Sequence, residues 1–141
     1  MSYTINKASV VAVYNHPEEA KRTVRKLKET GFDSKKLSIV RKGYHPRSSF
    51  FVISGIGPIT VSGPLVGEIV RTFGKGVIRP LSALRKGMSN IGISRESIFQ
   101  YESSLKKGFC LVCARGPVDE MAEVKRVFTL SKAIEIKMHY Q

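Results

Sequence analysis

The apolar positions of this chain fall into two similar units at its ends and a different block between them. Val10-Val11-Ala12-Val13-Tyr14 is a continuous apolar run of strand length. Asn15-His16-Pro17 follows it. Pro17 suits a first helical turn, where its missing N–H would have no partner anyway, and Glu18 and Glu19 favour the positive end of that helix. Ala20, Val24 and Leu27 recur at helical spacing, with Lys21, Arg22, Arg25, Lys26 and Lys28 outside, until Gly31 ends the pattern. Leu37-Ser38-Ile39-Val40 reads as a second strand. The last third repeats the order. Phe109-Cys110-Leu111-Val112-Cys113 is a strand, and Gly116-Pro117 opens a helix with Asp119 and Glu120 in its first turn. That helix turns Val118, Met121, Val124 and Phe128 inward. From Ala133 to Met138, Ile134, Ile136 and Met138 alternate with Glu135 and Lys137, as a closing strand would.

Two β-α-β units in succession predict an α+β fold, a ferredoxin-like sandwich of four strands in one sheet with helices on one face. The alternation in the closing strand fits a sheet with one wetter side. At 141 residues the default is a single domain over residues 1–141. It divides into a first β-α-β unit (8–42), an insertion (43–93), and a helix followed by the second unit (94–141).

The insertion opens with a Gly-, Pro- and Ser-rich stretch, 43–64, whose conformation the pattern leaves open. From Leu65 to Ile91 it becomes amphipathic: Val66, Ile69, Val70, Phe73, Val77, Leu81, Leu84 and Met88 mark one face, and Arg71, Lys75, Arg79, Ser82 and Lys86 the other. Gly74, Gly76 and Pro80 predict two shorter helices that break near Arg79-Pro80. Ser94 is a candidate N-cap for a further helix through Ile98, Tyr101 and Leu105 to Gly108. The apolar insertion exceeds what one small sheet needs to cover. Phe50, Phe51, Val66, Ile69, Phe73, Val77, Leu81 and Leu84 are therefore the candidate apolar interface, and a homo-oligomer is expected.

Charge sharpens this reading. Lys and Arg number 24 against 11 Asp and Glu, a formal net charge of +13. A chain so basic attracts polyanions such as nucleic acid, acidic lipid or an acidic protein surface. Between Arg41 and Arg95 nine basic residues face one acid, Glu68. Arg41, Lys42, Arg47, Arg71, Lys75, Arg79, Arg85 and Lys86 are the candidate contacts to an anionic partner. There is no secretory signal pattern and no apolar run long enough to span a bilayer, so a cytoplasmic location is the expectation.

Candidate catalytic chemistry is sparse. Cys110 and Cys113 have CxxC spacing but lie in an apolar strand, where residues three apart face opposite ways; two separate buried thiols are expected. His16, His45 and His139 are scattered, so no metal site is predicted. No serine has a nucleophile context, and neither an enzyme nor a cofactor is expected. Gly55-Ile56-Gly57-Pro58 and Gly74-Lys75-Gly76 could cradle a phosphate, yet neither matches a nucleotide fingerprint, and tight turns explain their glycines as well.

Val10 to Val40, Ser54-Gly55-Ile56-Gly57-Pro58, Ser62-Gly63-Pro64-Leu65-Val66, Ile91-Gly92-Ile93-Ser94, Tyr101-Glu102 and Leu105-Lys106 together resemble the bacterial general stress protein 17M-like family, a domain of unknown function in heat- and stress-induced proteins. The resemblance spans roughly residues 8 to 130. It implies a stress-associated role and brings no catalytic residues. Members of that family usually carry a long Gly/Ala-rich apolar insertion that looks like a membrane-inserting hairpin. This chain passes almost directly from Tyr44-His45 to Phe50-Phe51, and it carries Arg71, Lys75, Arg79, Arg85 and Lys86 where small or apolar residues would be expected. That departure argues against insertion and leaves attachment to a surface open. Three functions are thus expected in order: a non-catalytic accessory protein binding an anionic macromolecule such as an RNA-containing particle or protein complex; a peripheral protein on acidic membranes; and a module for a phosphorylated small ligand.

Overall fold

Both end units fold as their patterns require, and the middle adds more sheet than its pattern shows. The computed structural model describes residues 6–46, 48–72 and 76–140, with Thr72 described by its backbone alone. β1 (Lys7–Tyr14), α1 (Pro17–Glu29), a 3-10 turn (Ser34–Lys36) and β2 (Leu37–Lys42) make the first unit. β3 (Ser49–Ile53), β4 (Gly57–Ser62), α2 (Pro64–Thr72), β5 (Ile78–Arg79) and α3 (Leu81–Asn90) make the insertion. α4 (Arg95–Lys106), β6 (Cys110–Pro117), α5 (Val118–Thr129) and β7 (Glu135–Tyr140) complete the chain.

The sheet order is β5-β3-β4-β2-β6-β1-β7. β2, β6, β1 and β7 are the four strands of the two end units, interleaved and mutually antiparallel, with Val11 opposite Cys113, Leu37 opposite Ala114 and Val10 opposite Met138. This is the arrangement expected of a ferredoxin-like sheet. The insertion is not only helical. It lengthens the sheet with the β3–β4 hairpin and with β5, which runs parallel to β3.

Ser54-Gly55-Ile56 is the turn of that hairpin, and Gly57-Pro58 begin β4. Gly55 and Gly57 take φ of 87° and 101°, and the Ile56 N–H bonds the Ile53 carbonyl at 3.0 Å. The glycines therefore allow the chain to reverse. At the other end of β4, Gly63 (φ 88°) turns the chain into α2 beneath the backbone of Leu37.

Helices cover both faces of the sheet, not one. α1 and α5 close over Val10, Ala12, Tyr14, Val112 and Ala114 through Val24, Leu27, Met121, Val124 and Phe128. α2, α3 and α4 close the opposite face over Val11, Val13, Ile59, Val61 and Leu111 through Ile69, Leu84, Met88, Ile98, Tyr101 and Leu105. The prediction of one wetter face fails because the amphipathic helices of the insertion fold back onto it. The polar side of β7 is covered at its far end, where His139 is buried, while Lys137 stays exposed with its Nζ donating to Ser97 Oγ at 3.0 Å. Gly87 lets α3 approach α2 closely, since a Cβ there would stand 3.1 Å from Leu65 Cδ1.

Local signals behave as their chemistry demands, with small shifts. His16 is the residue before α1, and Pro17 occupies its first turn. Pro117 instead ends β6 and precedes α5, one step off the equivalent place. Ser94 caps α4 by position only; its Oγ meets Ser97 Oγ at 3.1 Å.

Candidate anion-binding surfaces

The basic stripe read along the insertion does not survive as one surface. Its side chains separate because the segment forms α2, β5 and α3 in different orientations. Arg79 lies on β5 with 3% of its surface exposed; its Nε donates to the Gly76 carbonyl at 2.8 Å and its guanidinium lies 5.8 Å from the centre of the Phe51 ring. It cannot serve as a surface contact, which corrects its assignment. Arg71 pairs with Glu68 one turn earlier on α2. Arg85 grips Glu102 of α4 with two parallel bonds, Nε to Oε2 at 2.8 Å and Nη2 to Oε1 at 2.9 Å. Arg41 and Lys42 are half-buried on β2, and Arg41 Nε has no hydrogen-bond partner among the described residues. Lys86 stands exposed on α3. Arg47 and Lys75 lie outside the described residues.

The apolar partners divide similarly. Phe51, Ile69 and Leu84 are buried in the core of a single chain, and Val66 and Leu81 pack against it. These five are core residues rather than an interface, because the sheet face is wide enough to absorb both helices. Phe50 is half-buried on the other face, edge-on to Tyr44 with ring centres 5.4 Å apart. Val77 is exposed, and Phe73 lies outside the described residues.

Among the described residues, two concave sites are lined by three or more cations and no carboxylate. The first is a shallow depression of about 560 Å³ between α3 and α4, lined by Ser82, Arg85, Lys86, Ser89, Arg95, Ile98 and Phe99. Helical spacing explains it: Ser82, Lys86 and Ser89 rise on one stripe of α3, while Arg95 and Phe99 stand one turn apart on α4. Phe99 is 50% exposed and sits beneath Arg85, whose guanidinium carbon is 5.0 Å from its ring centre. The Glu102 pair and Phe99 hold Arg85 in place, with Lys86 and Arg95 beside it in solvent.

The second is a cleft of about 360 Å³ at one end of the sheet, lined by Lys7, Lys35, Lys36 and Arg115 with Ser38, Pro64, Ile91, Cys113, Gly116 and Pro117. None of its cations belongs to the predicted set. They come from β1, the 3-10 turn and β6, and only the strand order brings them together. Lys35-Lys36 is the sole local signal, and on its own it reads as solvated charge.

Other reactive groups are shielded. Cys110 lies in the α1–α5 layer and Cys113 in the opposite one, as strand geometry requires. Burial pushes the Cys110 thiol up to about 11 and the Cys113 thiol to about 12, so both stay protonated and unreactive at neutral pH. Among the described residues no group of three or more His, Cys, Asp or Glu side chains could hold a metal ion.

His139 accepts from the Ser94 N–H at 3.4 Å and shares a bond with Tyr101 Oη at 3.0 Å. Burial first, and nearby Lys137 second, lower its pKa to about 4. The fold thus favours neutral imidazole, while the unfolded chain takes up the proton at an ordinary pKa near 6.5. Stability should fall as pH drops below 6.5 and level off below about 4. The slope is at most about 1.4 kcal/mol per pH unit. Denaturant midpoints from pH 7 to 4 should show this loss, and His139→Gln should remove that component of the slope.

A family model for the heat-induced stress protein YflT domain matches residues 9–108. The match begins in β1, takes in the whole insertion and the α3–α4 depression, and ends just before β6. No curated protein matches the chain, and no solved structure does.

Proposed function

We propose that this chain, which belongs to the heat-induced stress protein YflT domain family, is a non-catalytic stress-associated accessory protein that holds an anionic macromolecule on its α3–α4 surface. The observation that carries this is the depression itself. Lys86 and Arg95, from two helices, flank a half-exposed aromatic ring, and Ser82 and Ser89 add hydroxyl donors. Cations spaced along a shallow groove neutralise successive phosphates or carboxylates, and an exposed ring offers a stacking face to a base. Nothing in the groove is built to read a sequence, so binding would follow the backbone charge.

The test is binding to single-stranded RNA across a salt series. Each lost phosphate contact lowers the slope of log K against log salt by about 0.7 for single strands. Lys86→Ala with Arg95→Ala should therefore flatten the slope by about 1.4 and weaken binding at low salt. Equal affinity and slope in the variant would reject the site.

A second reading, attachment to an acidic membrane surface, is supported by a separate observation. Val70, Val77 and Ile78 are 44%, 46% and 79% exposed near the junction of α2 and β5, beside Arg71. Such a tip could enter the headgroup boundary. No helix of the described residues is long and apolar enough to cross a bilayer. Cosedimentation with acidic but not neutral vesicles, in a protein that ignores RNA, would favour this reading.

A further inference from the structure

We infer that the cleft at the end of the sheet is a binding site for the phosphoryl group of a small phosphorylated molecule. This goes beyond the α3–α4 reading and shares no residue with it. The argument starts from convergence. Lys7 opens β1, Lys35 and Lys36 form the 3-10 turn before β2, and Arg115 lies near the end of β6. Because β2, β6 and β1 are neighbours in that order, these ends lie side by side. Four cationic residues therefore line a single cleft.

Glu120 meets Lys36 at 3.4 Å, a long and partly exposed pair. Arg115 Nη1 donates to the Asn90 carbonyl at 3.2 Å, which steadies the guanidinium at the C-terminal end of α3. Lys7 and Lys35 are exposed. Like charges gathered in a concavity repel one another and concentrate counter-anions there. A dianionic phosphoryl group offers what Lys and Arg donors bind most strongly, several acceptor oxygens around one centre.

The walls set the rest of the ligand. Pro64, Ile91, Gly116 and Pro117 make part of the lining apolar, and Ser38 lies on the floor. Ser38 Oγ is already engaged, accepting from the Leu65 N–H at 3.0 Å, so the α2 terminus supplies no free donor at that position. Recognition would come from side-chain cations at the rim and apolar contact below. A cleft of about 360 Å³ lies at the lower end of the size range for small-molecule sites. It suits a compact phosphate ester and excludes a long polymer from its interior.

The experiment is calorimetric titration of the 141-residue chain with inorganic phosphate, pyrophosphate and ADP at matched ionic strength, with sodium chloride as the control. Backbone amide shifts locate any binding. The expected result is saturable binding of pyrophosphate or ADP, with shifts at Ser38, Ile91 and Gly116. Lys7→Ala with Lys35→Ala should weaken it by about tenfold or more, as loss of charge-assisted contacts does. Both residues are exposed, so the fold should tolerate the change. Lys86→Ala with Arg95→Ala should leave it unchanged, which separates this site from the α3–α4 surface. Saturation by inorganic phosphate alone, with no gain from pyrophosphate or ADP, would mark a free-anion site and overturn the ester. Heats no different from the chloride control, affinity unaltered by the Lys7 and Lys35 substitutions, or shifts confined to another face would overturn the site altogether.

Discussion

Gly63→Ala should abolish the native fold. The residue sits at φ 88°, where a side chain is strained whatever room it has. Here it also has no room. A Cβ would be driven into the Leu37 carbonyl oxygen and would stand 2.8 Å from the Ser38 Cα. Both obstacles are backbone, and that backbone is β2, hydrogen-bonded on one side to β4 and on the other to β6. Relief would require moving a strand in the middle of the sheet or swinging α2 off its face. The expected loss is above about 4 kcal/mol, in the range reserved for a strained backbone with overpacking. Circular dichroism and a denaturant titration would measure it. Gly31→Ala is the control: Gly31 has a similar φ, 92°, with nothing within 4 Å of the added carbon, so only the local strain applies. Equal stabilities of the two variants would refute the account of close packing at Gly63.

Leu84→Ala should cost about 3 kcal/mol, the middle of the range for truncating a buried leucine. At this chain length that corresponds to about 3 °C of midpoint per kcal/mol, or roughly 10 °C in all. Leu84 is fully buried where α3 meets the sheet, in the same cluster as Ile69 and Met88. The measurement also decides where the apolar face of α3 is spent. A core residue loses stability at every protein concentration. An interface residue would instead make the melting point depend on concentration and shift the sedimentation profile. Concentration-independent destabilisation is expected.

Much of the fold was legible because its signals are local. Pro17, Gly31 and the spacing of Ala20, Val24 and Leu27 delimit α1 by helix chemistry alone. The equivalent signals in the last third delimit α5 and place β7 to within two residues, and two interleaved β-α-β units leave few sheet orders. The β3–β4 hairpin was illegible for a specific reason. Its residues lie in a Gly-, Pro- and Ser-rich stretch whose pattern leaves loop and hairpin equally open, and Val52, Ile59 and Val61 become strand only when β2 and β5 flank them. The two-sided covering was missed because amphipathicity shows that a helix has a face to bury without showing which surface receives it.

The candidate site was less legible still. Arg79 and Arg85 look alike in the sequence, yet one is buried beside Phe51 and the other is clamped by Glu102, a carboxylate 17 positions away. Lys7 and Arg115 do not look like partners at all. Their proximity follows from Lys7 pairing opposite Pro117 and Ser9 opposite Arg115 in the β1–β6 register. A charge census locates cations along the chain; only the register places them in space.

The strand order also governs how the molecule can be made. β6 is the strand that joins the β5-β3-β4-β2 half of the sheet to β1 and β7, and it begins at Cys110 in a chain of 141 residues. While the ribosome is still synthesising the first hundred residues, β1 and β2 exist but have no strand between them. One partial sheet, β5-β3-β4-β2, and the lone strand β1 must wait for the intervening strand with open edges and bare apolar faces. Native pairing across the centre therefore waits until β6 has been made, and loop-closure entropy makes that step slow. During that interval the nascent chain is most exposed to aggregation and most in need of a chaperone.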